Sequence, residues 1–427
     1  MFNQGGLSLE QAPPISVVLR FFVTASMFGV LLGIFLLADR LGITSFLTHN
    51  KPVIIVHTLA LGVMASFMLG ALFQMLPVIA GVVIKMPTKK AMLVHLLFVV
   101  GLVIQLYAFA NASTPLLYFL AVAYLGLGLF YAIYLMLKEL FQIKDHSSSS
   151  KGMIFSLLSF SIAILFGIYM LLTFGGYIEG SYFTQIKELH YSFALFGWLS
   201  LLIVSVSFQV VEMFYITPKY PLLMSKYLTL SIFILLLLKT IAIFMALQTE
   251  LITVLLSILF MVYAGVTIHR LYYRKRPTSD ATVWFWRLGM GLLIVSMLIT
   301  LLDTFIDISL DVKMLSYISF IGFGLSIVFA MVYKIVPFLT WFHLSNQGYM
   351  EAPMMHDIIH PKKAKKHFYI HVSMLMVLMI TLFFNSFVGD LLSAFLILVS
   401  FGWLLYNLLY AIKKYRYTQK YTKKIEW

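Results

Sequence analysis

The sequence predicts an all-α fold, a polytopic membrane bundle of about twelve transmembrane helices in three pseudo-repeats of four. Three observations predict it: a composition too apolar for a soluble chain, apolar runs of spanning length, and a one-sided distribution of Lys and Arg.

The 427 residues are 62% hydrophobic and 11% charged. A water-soluble domain of that composition would carry a largely apolar surface, whereas a bilayer accepts about 20 apolar residues at each helical crossing. The apolar runs fall near 15–37, 52–84, 91–111, 114–137, 152–175, 185–215, 221–247, 251–272, 281–306, 311–341, 367–386 and 390–412. Residues 3–14 are polar, contain Pro13 and Pro14 and lack a basic n-region, so the first run reads as a retained helix and not as a cleaved signal peptide. The runs 52–84 and 185–215 are long enough to tilt or protrude. The chain reads as a single transmembrane domain, with pseudo-repeats 15–137, 152–272 and 281–412 and a basic tail, 413–427.

Charge sets the expected orientation. One set of connections carries Lys85, Lys89, Lys90, Lys138, Lys144, Lys151, Lys219 and Lys226. It continues through Arg270, Arg274, Lys275, Arg276, Lys362, Lys363, Lys365 and Lys366 to the basic tail. The opposite connections hold little beyond Arg40, Lys51, Lys187 and Lys313. The positive-inside rule places the rich set and both termini in the cytoplasm of a bacterial inner membrane. The net charge of +14 is then a consequence of topology and calls for no nucleic-acid partner. The expected partner is the lipid bilayer, whose anionic headgroups the tail can touch.

The repeat rests on the second helix of each group of four. His57-Thr-Leu-Ala-Leu-Gly62 leads to Gln74 and Pro77, and Tyr317-Ile-Ser-Phe-Ile-Gly322 leads to Lys334 and Pro337 with the same spacing. His190 to Gly197, then Gln209 and Pro218, fits with small insertions. These three helices are expected to be the inner ones, with each proline freeing a carbonyl one turn back. The stripe Thr58, Gly62, Ser66 and Gly70 reads as a close-packing surface.

Ionisable groups inside a bilayer are costly, so each is a functional candidate. His57 lies about five residues into its helix, roughly 8 Å from the outer end, and His190 lies at a similar depth. Two imidazoles at one level are the donor set of a low-spin haem b, and Ala194 and Gly197 leave room beside His190 for a flat ring. The plainer alternative is a pair of histidines bonded locally near the interface. Lys239 either snorkels outward or pairs with Asp303, Asp307 or a haem propionate. Tyr317, at the repeat position of His57, completes the cofactor-binding candidates His57, His190, Lys239 and Tyr317, with His57 and His190 as metal ligands. A different reading is a transporter with a polar path through Gln74, Gln209, Glu212 and Lys334.

The long loop 342–366 holds His343, His356 and His360, followed by His367 and His371. The pairs His356/His360 and His367/His371 have i, i+4 spacing, although Pro353 and Pro361 oppose a continuous helix and four lysines oppose a bound cation. The run Ser147–Ser150 reads as a solvated loop. The absence of cysteine excludes disulfides, thiolate metal sites, iron–sulfur clusters and c-type haem. No phosphate-binding glycine loop, zinc-protease motif or serine-nucleophile motif is present.

His57, followed by Gly70-Ala-Leu and Pro77, resembles the second helix of haem-copper oxidase subunit I and of nitric oxide reductase. That resemblance implies twelve helices in three arcs, with His57 as a haem ligand and His190 where the family places a copper-ligand histidine. The chain departs from the family in lacking a histidine pair in the seventh helix and histidines in the outer half of the tenth, so the copper site is incomplete. The closer likeness is to the NnrS family of membrane haem proteins linked to nitric oxide tolerance. It implies a haem b protein in respiratory electron transfer, nitric oxide response or complex assembly, with respiratory-chain subunits or a small electron donor as partners. A haem bridging the second and sixth helices is the expectation drawn from it.

Overall fold

A computed structural model describes residues 12–44, 46–47, 49–111, 114–275, 278–384 and 386–424. The polar residues 3–11 and Arg276 lie outside the described residues. Twelve helices among the described residues are long and apolar enough to cross a membrane. They are α1 (Ile15–Arg40), α2 (Lys51–Ala80), α3 (Pro87–Asn111), α4 (Pro115–Leu140), α5 (Ser148–Phe174) and α6 (Phe183–Tyr215). The remainder are α7 (Leu222–Phe244), α8 (Glu250–Tyr272), α9 (Ala281–Phe305), α10 (Leu310–Asn346), α11 (Pro361–Phe383) and α12 (Phe387–Tyr421). Each apolar run thus becomes one helix. Hydrocarbon offers the backbone no hydrogen-bond partner, and a helix satisfies its own N–H and C=O groups.

The ends follow local chemistry. Pro115 and Pro361 occupy first-turn positions of α4 and α11, where the missing N–H costs nothing. The Ser147 hydroxyl accepts from the Ser150 amide at 3.1 Å and caps α5. Ser148–Ser150 are therefore its first turn, with Ser149 and Ser150 buried, and not the solvated loop that composition suggests. Pro77 and Pro337 lie inside α2 and α10 as expected. Pro218 does not lie inside α6, which ends at Tyr215 with Ile216 in the left-handed region (φ 52°), so it frees no helical carbonyl. The helix α12 continues through the basic stretch to Tyr421. A helix leaving the membrane exchanges apolar side chains for charged ones without changing its backbone, so the apolar run ends before the helix does.

The chain folds as two compact units that cut across the threefold division. Of the described residues, those within Met1–Ala12, Leu72–Pro277 and Met290–Phe320 form unit 1, and those within Pro13–Ala71, Thr278–Gly289 and Ile321–Trp427 form unit 2. In unit 2, α1 packs on α12 through Gly29 and Gly33. A Cβ on Gly33 would fall 2.7 Å from the Leu398 backbone, and one on Gly29 within 2.3 Å of the Phe401 ring. The small-residue stripe of α2 serves packing in the same unit. Gly62 seats Phe28, and Gly70 seats Phe21 and Phe22 of α1. In unit 1, Gly101 of α3 meets the Leu125 backbone of α4, and Gly197 of α6 meets Ser159 of α5.

The three helices singled out by the repeat are the most enclosed. The central windows of α2, α6 and α10 are 61%, 72% and 72% buried, against 22–44% for the other nine. That difference matches the expectation that each is an inner helix.

Candidate functional site

His57 ends an α-helical turn of α2, and the next eight residues, Thr58–Ala65, are wound as π-helix. His190 lies in the α-helical part of α6, Phe183–Ser192, and the eight residues Phe193–Ser200 that follow are again π-helix. Ser66 marks the wider winding, its hydroxyl donating five residues back to the Leu61 carbonyl at 3.4 Å. A π segment widens the helix and weakens its hydrogen bonding, and such segments concentrate at functional sites. Two of equal length, each just beyond a candidate histidine, are the strongest structural parallel between α2 and α6.

Both imidazoles are held in the same manner. The Nδ1–H of His57 donates to the Val53 carbonyl at 2.8 Å, and that of His190 to the Ala163 carbonyl of α5 at 2.9 Å. A carbonyl only accepts, so each neutral ring carries its proton on Nδ1 and keeps its lone pair on Nε2. Carbonyls impose this orientation on metal-bound imidazoles. Both residues are half-buried. The His190 ring rests on Gly167, where a Cβ would approach Cε1 to 3.1 Å.

Lys239 is buried in α7 at 6% exposure. Its ammonium neither snorkels nor meets the carboxylates expected of it. It pairs with Glu188 at 2.9 Å and donates to the Ser192 hydroxyl at 3.3 Å, so it grips α6 on both sides of His190 in sequence. Asp303 and Asp307 pair instead with Lys313, at 3.1 and 3.3 Å. Tyr317 lies on an exposed face of α10 at 49% exposure, while Ser319 is fully buried.

The residues of the alternative polar path divide. The Gln74 amide is buried with neither its oxygen nor its nitrogen hydrogen-bonded, and Gln209 is half-buried. Glu212 accepts from the Tyr220 amide at 2.8 Å and so fixes the turn after α6. Lys334 pairs with Asp280 at 2.5 Å. Burial alone would raise the Asp280 carboxyl, but the Lys334 ammonium and the two donors of Thr282 outweigh it and hold the group below the usual carboxylate range.

The loop histidines also separate. His343 belongs to α10, and His356 lies in a short helix, Met355–Ile358, 3.4 Å from Asp357. His360 caps α11 by accepting from the Lys362 amide at 3.2 Å, so His356 and His360 share no helix face. His367 and His371 do share one, in α11, and both are fully buried. Among the described residues no group of three or more His, Cys, Asp or Glu side chains is placed to hold a metal ion. Sequence reasoning missed Glu188 and both π segments; Glu188 had a visible signal, as the acid two residues before His190 on the outer end of its helix.

These features define a class, a polytopic helical bundle of the integral membrane kind, with the Nδ1 of each candidate histidine bonded to a backbone carbonyl. No protein-family model matches the chain, and no curated protein matches it.

Proposed function

We propose that the chain is a haem-b-binding membrane protein, a divergent relative of haem-copper oxidase subunit I resembling the NnrS family, with His57 and His190 as the imidazole donors. The observation that carries this reading is the shared orientation of the two rings, with Nδ1–H on a backbone carbonyl and a π segment following. The donor set fits ferrous or ferric haem, because neutral imidazole is its usual b-type ligand. Bound haem would supply one-electron chemistry, suited to respiratory electron transfer, nitric oxide response or complex assembly. The protein's own part is to hold the rings. Val53 and Ala163 fix the tautomers, and Gly167 keeps space against His190. Lys239 is assigned to positioning α6 and not to a propionate, because Glu188 and Ser192 already engage its ammonium. The proposed setting is a bacterial inner membrane with both termini cytoplasmic.

The test is haem content after purification from haem-replete cells. Wild type should carry haem, His57→Ala and His190→Ala should lose it while remaining folded, and added imidazole should restore it to either variant. Equal haem in wild type and both variants would remove these residues from the ligand set.

The transporter reading keeps one supporting observation, the buried and unpartnered Gln74 amide. Glu212 and Lys334 favour it less, since each is engaged with a neighbouring residue.

A further inference from the structure

The face of α11 that carries His367 and His371 also carries Met374, at i, i+4 and i+7. The three are 0%, 0% and 2% exposed. The far nitrogen of each imidazole is anchored by a serine of another helix: His367 Nε2 meets Ser400 Oγ at 3.0 Å, and His371 Nε2 meets Ser326 Oγ at 2.9 Å. The Ser326 hydroxyl spends its hydrogen on the Gly322 carbonyl at 2.7 Å, so it accepts from His371, whose proton is thereby placed on Nε2. The lone pair of His371 is then on Nδ1. That atom and His367 Nδ1 are both buried without a hydrogen-bond partner. A buried polar atom left unpaired is costly, so two neighbouring ones call for an occupant.

We propose that His367, His371 and Met374 form a site for a cuprous ion, separate from the histidines assigned to haem. The donor chemistry selects the metal. Two neutral imidazoles and a thioether are borderline-to-soft ligands, and the set contains no carboxylate to balance a divalent charge. Aromatic walls favour a monovalent cation over a hydrated one: the Phe329 ring lies 4.6 Å from His367 and 5.1 Å from His371, and Phe285 lies 5.8 and 5.6 Å away. The lysines that precede the pair turn away from it onto surrounding rings. Lys363 sits 3.7 Å over Tyr410, Lys366 4.4 Å over Trp403 and Lys365 5.5 Å over Trp284. With no cysteine in the chain, imidazole and thioether are the donors it offers that suit a cuprous ion.

The experiment uses the full chain in detergent, loaded anaerobically with Cu(I) under ascorbate and challenged with a colorimetric cuprous chelator. Wild type and His57→Ala should each retain one copper per chain, with nitrogen and sulfur scatterers in the X-ray absorption spectrum. His371→Gln keeps an amide N–H for Ser326 while removing the Nδ1 donor, and it should surrender the metal. Met374→Leu preserves volume and should weaken binding about tenfold or more. Surrender of all copper by folded wild type overturns the proposal, as does retention by folded His371→Gln. Should His371→Gln fail to fold, unchanged affinity in Met374→Leu overturns it as well. Because His57→Ala retains the copper site, loss of haem and loss of copper are read independently.

Discussion

At the scale of single residues, Lys239 shows how a charge is kept inside the bundle. Its ammonium is almost wholly enclosed, and Glu188, itself 37% exposed, brings the compensating charge from the N-terminal end of α6. Removing one partner of such a pair leaves an uncompensated buried charge, at a cost of about 3–5 kcal/mol. Glu188→Ala should therefore lower the unfolding temperature in detergent sharply, while Glu188→Ala combined with Lys239→Met should recover most of the loss. Equal destabilisation in the single and double variants would contradict the pairing. The need for a partner was legible in the sequence, because a lysine deep in an apolar run must snorkel or pair. Which carboxylate it meets was not. Periodicity within α7 says nothing about the rotation of α6 against it, and Asp303 and Asp307 were equally plausible by depth. The tautomer of His190 was hidden for the same reason, since the carbonyl that orients it belongs to α5, whereas Val53 lies one turn before His57 in the same helix.

At the scale of helices, hydropathy located all twelve spans because bilayer thickness selects their length. It misjudged ends wherever water takes over the solvation: α12 runs on to Tyr421 through a basic stretch, and Ser148–Ser150 begin a helix. The π segments of α2 and α6 left no compositional trace, since Thr58–Ala65 and Phe193–Ser200 would wind equally well as α-helix. Packing was more legible. The small-residue stripe of α2 is seated as expected, and the Gly29/Gly33 pair of α1 follows the same rule against α12. A side chain at Gly33 would run into the Leu398 backbone, which cannot rotate aside. Gly33→Val should cost about 1–3 kcal/mol or more, whereas Gly402→Val, where the added carbon meets nothing within 4 Å, should be near neutral. Thermal unfolding of the two variants side by side checks this, and equal stability would contradict the close approach of α1 and α12.

At the scale of the whole molecule, twelve candidate spans with basic connections on one side are the basis for proposing that both termini are cytoplasmic. The cysteine-free chain allows a direct check with single introduced cysteines. Ser148→Cys and Lys420→Cys should resist a membrane-impermeant thiol reagent applied from outside, and Thr114→Cys and Glu179→Cys should react. The reverse pattern would invert the topology. The apolar spans of α2, α6 and α10 are the most buried of the twelve, and of His57, His190 and Tyr317 only the first two carry an imidazole while the third is exposed. The seventh helix lacks a histidine pair and the outer half of the tenth lacks histidine, so the proposed likeness to an oxidase stops short of a binuclear centre and haem binding is the function to test. The most direct measurement is the reduced-minus-oxidised visible spectrum of the purified protein from haem-replete cells. A b-type difference spectrum that disappears in folded His57→Ala and His190→Ala is the expected result, and a colourless, folded wild-type protein would contradict it.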